Sequence, residues 1–485
     1  MVTKKEIFAY QTDASRLIGE ASKVVFPSTI EEVQTLVKNS DTTIVPRGAG
    51  TNFVGGCIPN NSLIMDLNKL NKVKEFSPKG TVYVEAGVTL KELNQKLEPL
   101  GFEFPIQPLN QGVSTIGGMI ATNASGSRAM KYGQMKDWID AIDFVNGRGE
   151  IMKTSKADLM DICGMEGITG IIVGAKLRII PLIKRSASLF QSDDLEEIMS
   201  ISRRLKLEKD VCSLDLISKQ ISQLINFPEK YNLIIEFDSE RGKIKDDDYQ
   251  KIINLRDKLF FTMAKNEYVN SEDPKLFLDK IKEFVLYLEA NKIPYFSNVG
   301  FGIVHPFFKD TEQNKRNDIR ELMKKTDVKL GNYGIGITRK EFVETFTEKI
   351  IHRVKLRNDP FGKLNNGKII NIEHLPNFRA RQAPKTITGE DLSAKRMIKE
   401  LSEPVKTPTE IKSPQIIKQD ISPSQKMTEL IKKTEKEEVK KSEPEMLEKP
   451  LENKRPPMSK EEQDAINKVF GKGFGVKPKE PKNDN

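Results

Sequence analysis

A glycine-dense turn, Pro46-Arg47-Gly48-Ala49-Gly50-Thr51-Asn52-Phe53-Val54-Gly55-Gly56, follows the short apolar run Thr43-Ile44-Val45. Glycine lacks a Cβ, so such a turn can reach φ > 0 and close successive backbone N–H groups on an anion. It reads as a pyrophosphate clamp, with a plain strand-to-strand turn as the competing reading. A second small-residue stretch, Thr115-Ile116-Gly117-Gly118-Met119-Ile120-Ala121-Thr122-Asn123-Ala124-Ser125-Gly126, follows about 65 residues on. Two cradles suit a long dinucleotide. A nicotinamide-type G-x-G-x-x-G begins at Gly48 and Gly50, but its third glycine is Phe53, and an extended segment follows where a helix should open.

These stretches resemble the flavin oxidoreductases of the vanillyl-alcohol oxidase type, in particular the glycolate oxidase and D-lactate dehydrogenase branch. The resemblance rests on P-R-G-x-G-T at Pro46 to Thr51 and T-I-G-G-x-x-A-T-N-A-x-G at Thr115 to Gly126. Lys131-Tyr132-Gly133 and Glu166-Gly167-Ile168-Thr169-Gly170-Ile171 extend it, and it runs from about residue 24 to about residue 372. It implies an α+β fold: a two-subdomain PCMH-type FAD-binding domain and an antiparallel α/β cap, followed by a tail whose composition reads as disordered. The divisions expected are 1–183 for the FAD domain, 184–330 for the cap, 331–379 for a return to the FAD domain, and 380–485 for the tail. The FAD contacts it implies are Pro46, Arg47, Gly48, Ala49, Gly50, Thr51, Asn52, Thr115, Ile116, Gly117, Gly118, Ala121, Thr122, Asn123, Gly126, Tyr132, Gly133, Glu166, Gly167, Gly170, Ile171 and Ile172. Near the close, Asp359-Pro360-Phe361-Gly362-Lys363-Leu364-Asn365-Asn366-Gly367-Lys368 resembles a D-P-x-x-x-L-N-P-G-K segment, which brings Asn365 or Lys368 toward the isoalloxazine end. A solvated terminal loop is the competing reading.

Length and charge narrow the alternatives. A chain of 485 residues exceeds one ordinary core. Its net charge of +9 is spread among interspersed acids and bases, so no nucleic-acid footprint of clustered Lys and Arg with aromatics is expected. Cys57, Cys163 and Cys212 make no C-x-x-C or iron–sulfur spacing, which suits a reduced compartment. The amino-terminal segment lacks the apolar core of a signal peptide and no run of 18 apolar residues occurs, so the expectation is a cytoplasmic protein, at most peripheral at the inner face of a membrane.

Along the chain, Ser28-Thr29-Ile30-Glu31 reads as a capping box before a helix, and Thr89-Leu90-Lys91-Glu92 as another before a helix ending near Gly101. Strands are expected at Ser62–Leu67, Thr81–Gly87, Gly170–Ile180 and Leu233–Phe237, and a hairpin turn at Asn146-Gly147-Arg148-Gly149. Apolar residues from Leu276 to Ala290 recur with helical period.

The last third departs from the resembling pattern. A G-H-x-G-D-G-N-x-H-P segment corresponds to Ser297 to Pro306, so the first histidine is Asn298, the aspartate Phe301 and the asparagine Ile303; G-E-H-G-I-G corresponds to Gly331 to Gly336, with Tyr333 at the histidine. Of the two histidines and the glutamate that bind a divalent metal in metal-dependent members, His305 remains. One imidazole does not make a site that needs three or four convergent ligands, so no catalytic metal is expected. His305 and Tyr333 are the candidate bases, with a hydrogen-bonded structural histidine as the alternative for His305. Arg256, by its spacing before Glu272-Asp273-Pro274, is the candidate clamp for a substrate carboxylate, against a plain surface arginine. All three histidines lie beyond residue 300, and Cys57 and Cys163 read as buried thiols, so FAD is expected to be bound non-covalently.

Eleven of the 25 prolines and two aromatics, Phe470 and Phe474, fall in the last 105 residues, a composition that cannot offset the entropy of ordering. The stretches around 427–436 and 461–470 could become helical on a protein partner. The activity implied is oxidation of a 2-hydroxy acid or related alcohol by hydride transfer to flavin, with a separate protein or quinone as electron acceptor. The alternative is a catalytically degenerate FAD-binding scaffold or subunit of a redox complex, with the tail as its docking segment.

Overall fold

The computed structural model describes residues 4–108, 112–225, 227–269, 272–326 and 328–371. The expected tail lies outside them. The first glycine loop sits in a small parallel sheet. Glu20–Val25 and Ile44–Arg47 both run parallel to Asn60–Asp66, which lies between them. Helix Ile30–Asn39 makes the crossover and buries Val33 and Val37. Its cap lies one residue later than the sequence suggested: the Thr29 hydroxyl accepts from Glu32 N at 3.2 Å, while Ser28 N donates to the Glu32 carboxylate at 2.6 Å. Thr29 is the extended residue here, and that fixes which side chain faces the free amides.

The second glycine stretch packs on a five-stranded antiparallel sheet, ordered Val73–Ser77, Thr81–Glu85, Ile171–Arg178, Ile139–Val145, Ile151–Lys153. Thr89 and Glu92 form the expected capping box of helix Leu90–Leu97, and Gly101 closes the turn at φ 73°. The Asn146 to Gly149 turn forms as read, with Asn146 N donating to Glu150 O.

After Pro181 the chain enters a seven-stranded sheet of antiparallel neighbours: Ser186–Ser192, Tyr231–Phe237, Val211–Ile217, Tyr295–Asn298, Ile303–Pro306, Pro274–Lys275 and Lys329–Leu330. The helix expected from Leu276 starts at Leu278, because Pro274–Lys275 is taken into this sheet, which leaves Phe277 86% exposed. The chain then returns: Ile44 N donates to Lys363 O, and Asn365 N to Ile44 O, placing 363–365 beside the strand that feeds the first glycine loop. No helix among the described residues is long and apolar enough to cross a membrane.

Candidate functional site

A cavity of about 440 Å³ is walled on one side by the two glycine stretches and on the other by the seven-stranded sheet and its loops. Pro46, Arg47, Gly48, Ala49, Gly50, Thr51 and Asn52 reach it from the first stretch. Thr115, Gly117, Gly118, Ala121, Thr122 and Gly126 reach it from the second. The stretches meet because they lack side chains: a Cβ on Gly48 would run into the Thr115 hydroxyl, and one on Gly117 would stand 2.7 Å from Ala86 Cβ. Gly50 turns at φ 69°. The wall is rich in unused donors. Ser125 Oγ and Ser127 Oγ are buried without a partner, and the amides of Gly48 to Asn52 donate no backbone hydrogen bond among the described residues. Buried polar groups ordinarily find partners, so this cradle fits an extended ligand that carries anionic oxygens.

Glu166, Gly167, Gly170 and Ile172 continue the wall. Glu166 stands at φ 46° and its carboxylate accepts from Ile335 N at 2.6 Å and Gly336 N at 3.1 Å. Burial pushes Glu166 up to about 7 against the pull of those amides. Asp273 Oδ2 accepts from Tyr333 N at 2.9 Å and also from Asn332 N. Two carboxylates, Glu166 from the loop before strand Ile171–Arg178 and Asp273 from just before strand Pro274–Lys275, therefore hold the loop that carries Tyr333.

On the opposite wall, Tyr333 Oη lies 2.9 Å from His305 Nδ1, and His305 Nε2 lies 3.3 Å from Asn298 Oδ1. The imidazole is stacked on Phe296 and met edge-on by Phe260. Burial, helped by the nearby Arg339 guanidinium, presses His305 down to about 3, so the ring is neutral near pH 7. Burial and Asp273 hold the Tyr333 phenol well above its usual range. No group of three or more His, Cys, Asp or Glu among the described residues is placed to hold a metal ion.

Residues 21–155 match the FAD binding domain family. The chain is 24% identical over 406 residues to the D-lactate dehydrogenase of Archaeoglobus fulgidus, covering 72% of this chain and 91% of that one. It is 32% identical over 170 residues to the D-2-hydroxyglutarate dehydrogenase of Xanthomonas citri, and that match covers 32% of this chain and 36% of that enzyme's length. This chain carries an FAD binding domain. The solved structure of an alkyldihydroxyacetonephosphate synthase shares the fold, with a TM-score of 0.56 and 16% identity over 70% of this chain and 75% of that one.

In this FAD-binding chain, several residues expected at the cofactor stand behind the cavity wall. Ile116 and Ile171 are packed in apolar clusters. Asn123 Oδ1 accepts from Lys136 N at 3.0 Å, tying down the turn at φ 48°. The Tyr132 hydroxyl donates to Asp238, in the loop after strand Tyr231–Phe237, and Gly133 ends the short helix that carries it. Lys368 is 2% exposed, its ammonium donating to Asn366 O at 3.3 Å, and burial brings it down to about 8. Asn365 Nδ2 donates to Gly56 O at 2.8 Å and Glu166 O at 2.6 Å, so it braces the first glycine stretch and the Glu166-Gly167 turn from behind.

The expectation for Arg256 is corrected. Its guanidinium is 1% exposed and committed to Asp215 at 3.2 Å, Glu236 at 3.0 Å and Asp257 at 3.0 Å. An arginine enclosed by three carboxylates does not reach out to clamp a substrate. Two residues on, Lys258 lies on the cavity wall at its exposed rim, where sequence reasoning did not look. Phe53, Asn298 and Ser127 on the wall were also missed as contacts. For Ser127 the signal was present, since it directly follows the second glycine stretch.

Proposed function

We propose that this chain oxidises a small 2-hydroxy acid, or a related alcohol, with non-covalently bound FAD and without a metal ion. The observation that carries the reading is the Tyr333–His305 pair standing in the same cavity as both glycine stretches. FAD, when bound, supplies the two-electron acceptor. The amides of Gly48 to Asn52 and the hydroxyls of Ser125 and Ser127 would hold its anionic linkage. The Tyr333 oxygen faces the substrate hydroxyl and accepts its proton as its own passes to His305 Nδ1. Lys258, for which no ion pair is found among the described residues, receives the carboxylate.

Non-covalent binding is supported by the thiols: burial pushes Cys57 and Cys163 up to about 12, and Cys57 Sγ is already engaged with Arg47 and Asp13. Metal independence is supported by the donor set, in which the Asn298 carboxamide is spent on Asp215 and His305. The division into residues 1–183, 184–330, 331–379 and 380–485, a separate protein or quinone acceptor, and a cytoplasmic location belong to the same proposal. Anaerobic mixing of the FAD-loaded protein with a panel of D-2-hydroxy acids should bleach the flavin band near roughly 450 nm for at least one acid. A yellow protein that no acid or alcohol bleaches would favour the second reading, an FAD-binding scaffold, to which the altered positions Asn298, Phe301, Ile303 and Tyr333 give its support.

A further inference from the structure

Asn298 occupies a strand end where its two amide termini have opposite chemistry to satisfy. One faces Asp215 Oδ1 at 2.6 Å; the other faces His305 Nε2 at 3.3 Å. A carboxylate accepts and cannot donate, so the NH₂ end must point to Asp215 and the carbonyl end to His305. The carboxylate is itself fixed, since Ser213 Oγ donates to Asp215 Oδ2 at 2.6 Å and Arg256 approaches it at 3.2 Å. With a carbonyl oxygen facing Nε2, the favoured neutral imidazole carries its hydrogen there. Nδ1 is then a bare acceptor, and the Tyr333 hydroxyl 2.9 Å away must donate to it.

We propose that Asn298, held by Asp215, which Arg256 in turn fixes, is a positioning residue that sets His305 as its Nε2–H tautomer and so turns the Tyr333 oxygen lone pairs toward the substrate hydroxyl. The substrate half of this rests on the function proposed above; the tautomer half does not. Arg256 thereby acts on the Asn298 carboxamide through Asp215. The ring has no freedom to find other partners, because Phe296 and Phe260 enclose it. The low basicity of His305 keeps it neutral across the pH range in which Asp215, raised by burial to about 6, becomes a carboxylate.

The chain has three histidines, His305, His352 and His374, so a histidine-selective nitrogen NMR spectrum contains three rings. The FAD-loaded full chain, ¹⁵N-labelled at histidine and recorded at pH 8, should give one neutral ring locked as Nε2–H, absent from His305→Gln. Asn298→Leu should lose the lock and show a mixture or the Nδ1–H form; Asp215→Asn, which frees the amide to flip, serves if the leucine variant does not fold. The same variants should lower kcat by roughly 10- to 100-fold, as second-layer partners of a working histidine do, with a smaller change in KM. An Nδ1–H or doubly protonated His305 in the wild type overturns the proposal, as does an unchanged Nε2–H ring in a folded Asn298 or Asp215 variant. An intact Nε2–H lock in a protein that turns over no hydroxy acid would sink the proposed function and leave the tautomer assignment standing.

Discussion

His305 is 3% exposed, and its imidazole titrates near 3 where an unfolded chain titrates near 6.5. Between those values the unfolded state binds a proton that the folded state refuses, so stability rises with pH through this window and falls on acidification. From pH 6.5 to pH 5 the group removes ~2 kcal/mol of stability. His305→Gln should be spared that part of the loss, and urea unfolding of both proteins at the two pH values checks it. Lys258 makes a prediction of a different kind. If it meets the carboxylate at the rim, Lys258→Ala should raise KM for a 2-hydroxy acid by roughly ten-fold, the scale of one charge-assisted hydrogen bond, with kcat little changed. Steady-state kinetics with the acid and its methyl ester would separate this from a general loss of packing, since the ester should be indifferent to the substitution. Arg256 and Lys258 also teach how a candidate is misplaced. Tyr249, Ile252, Ile253 and Arg256 are the buried positions of helix Asp246–Asp257, a 3.6-residue stripe that the sequence already displayed. Reading that stripe would have turned Arg256 inward; spacing from a later motif did not reveal direction.

At the scale of elements, the legible parts were those whose cause is local. The glycine stretches, the Thr89 capping box and the Asn146 turn need only neighbouring residues, and each formed where the sequence placed it. The loop carrying Tyr333 is the opposite case. It has little structure of its own and is held by Asp273 from beside one sheet and Glu166 from beside the other, partners 60 and 169 residues away from the amides they hold. Nothing in the local sequence foretells such pairing. Glu166→Ala should therefore loosen Ile335 and Gly336, whose amides should exchange with deuterium roughly 10- to 100-fold faster, the loss of a hydrogen bond to a charged acceptor being worth about 1.5–3 kcal/mol. Amides of helix Leu90–Leu97 should be unaffected and serve as the internal control. The raised Glu166 carboxyl adds a pH arm of opposite sign to that of His305. Between the ordinary 4.5 and about 7 the folded state keeps a proton that the unfolded state has released. The contribution from this group is thus full below 4.5 and is lost as pH rises through 7, a slope that Glu166→Gln should remove.

For the molecule as a whole, the cavity exists only while the seven-stranded sheet stays against the glycine stretches, and buried ions hold it there. Arg128, two residues past the second stretch, donates to Glu236 through Nε at 2.9 Å and through a terminal nitrogen at 2.7 Å. Arg185 joins Glu103 of one half to Asp238 of the other, and Lys131 reaches the same Asp238 at 2.7 Å. Although burial alone would raise Glu236, Arg128 and Arg256 hold its carboxyl far below the usual range. Breaking a buried pair from one side typically costs about 3–5 kcal/mol because a charge is left uncompensated. Arg128→Met leaves Glu236 with Arg256 and the Tyr249 hydroxyl, so the seven-stranded sheet itself should survive while the contact between the halves weakens. The expected outcome in a calorimetric scan is that the wild type melts in one transition that FAD raises, whereas the variant melts in two. FAD should raise the transition of the half that holds the glycine stretches and leave the other nearly where it was, since a ligand stabilises what it binds. A variant that still melts once, at the wild-type temperature and with the wild-type response to FAD, would show that apolar contact such as Met130 against Gly300 carries the interface and that the ions merely accompany it.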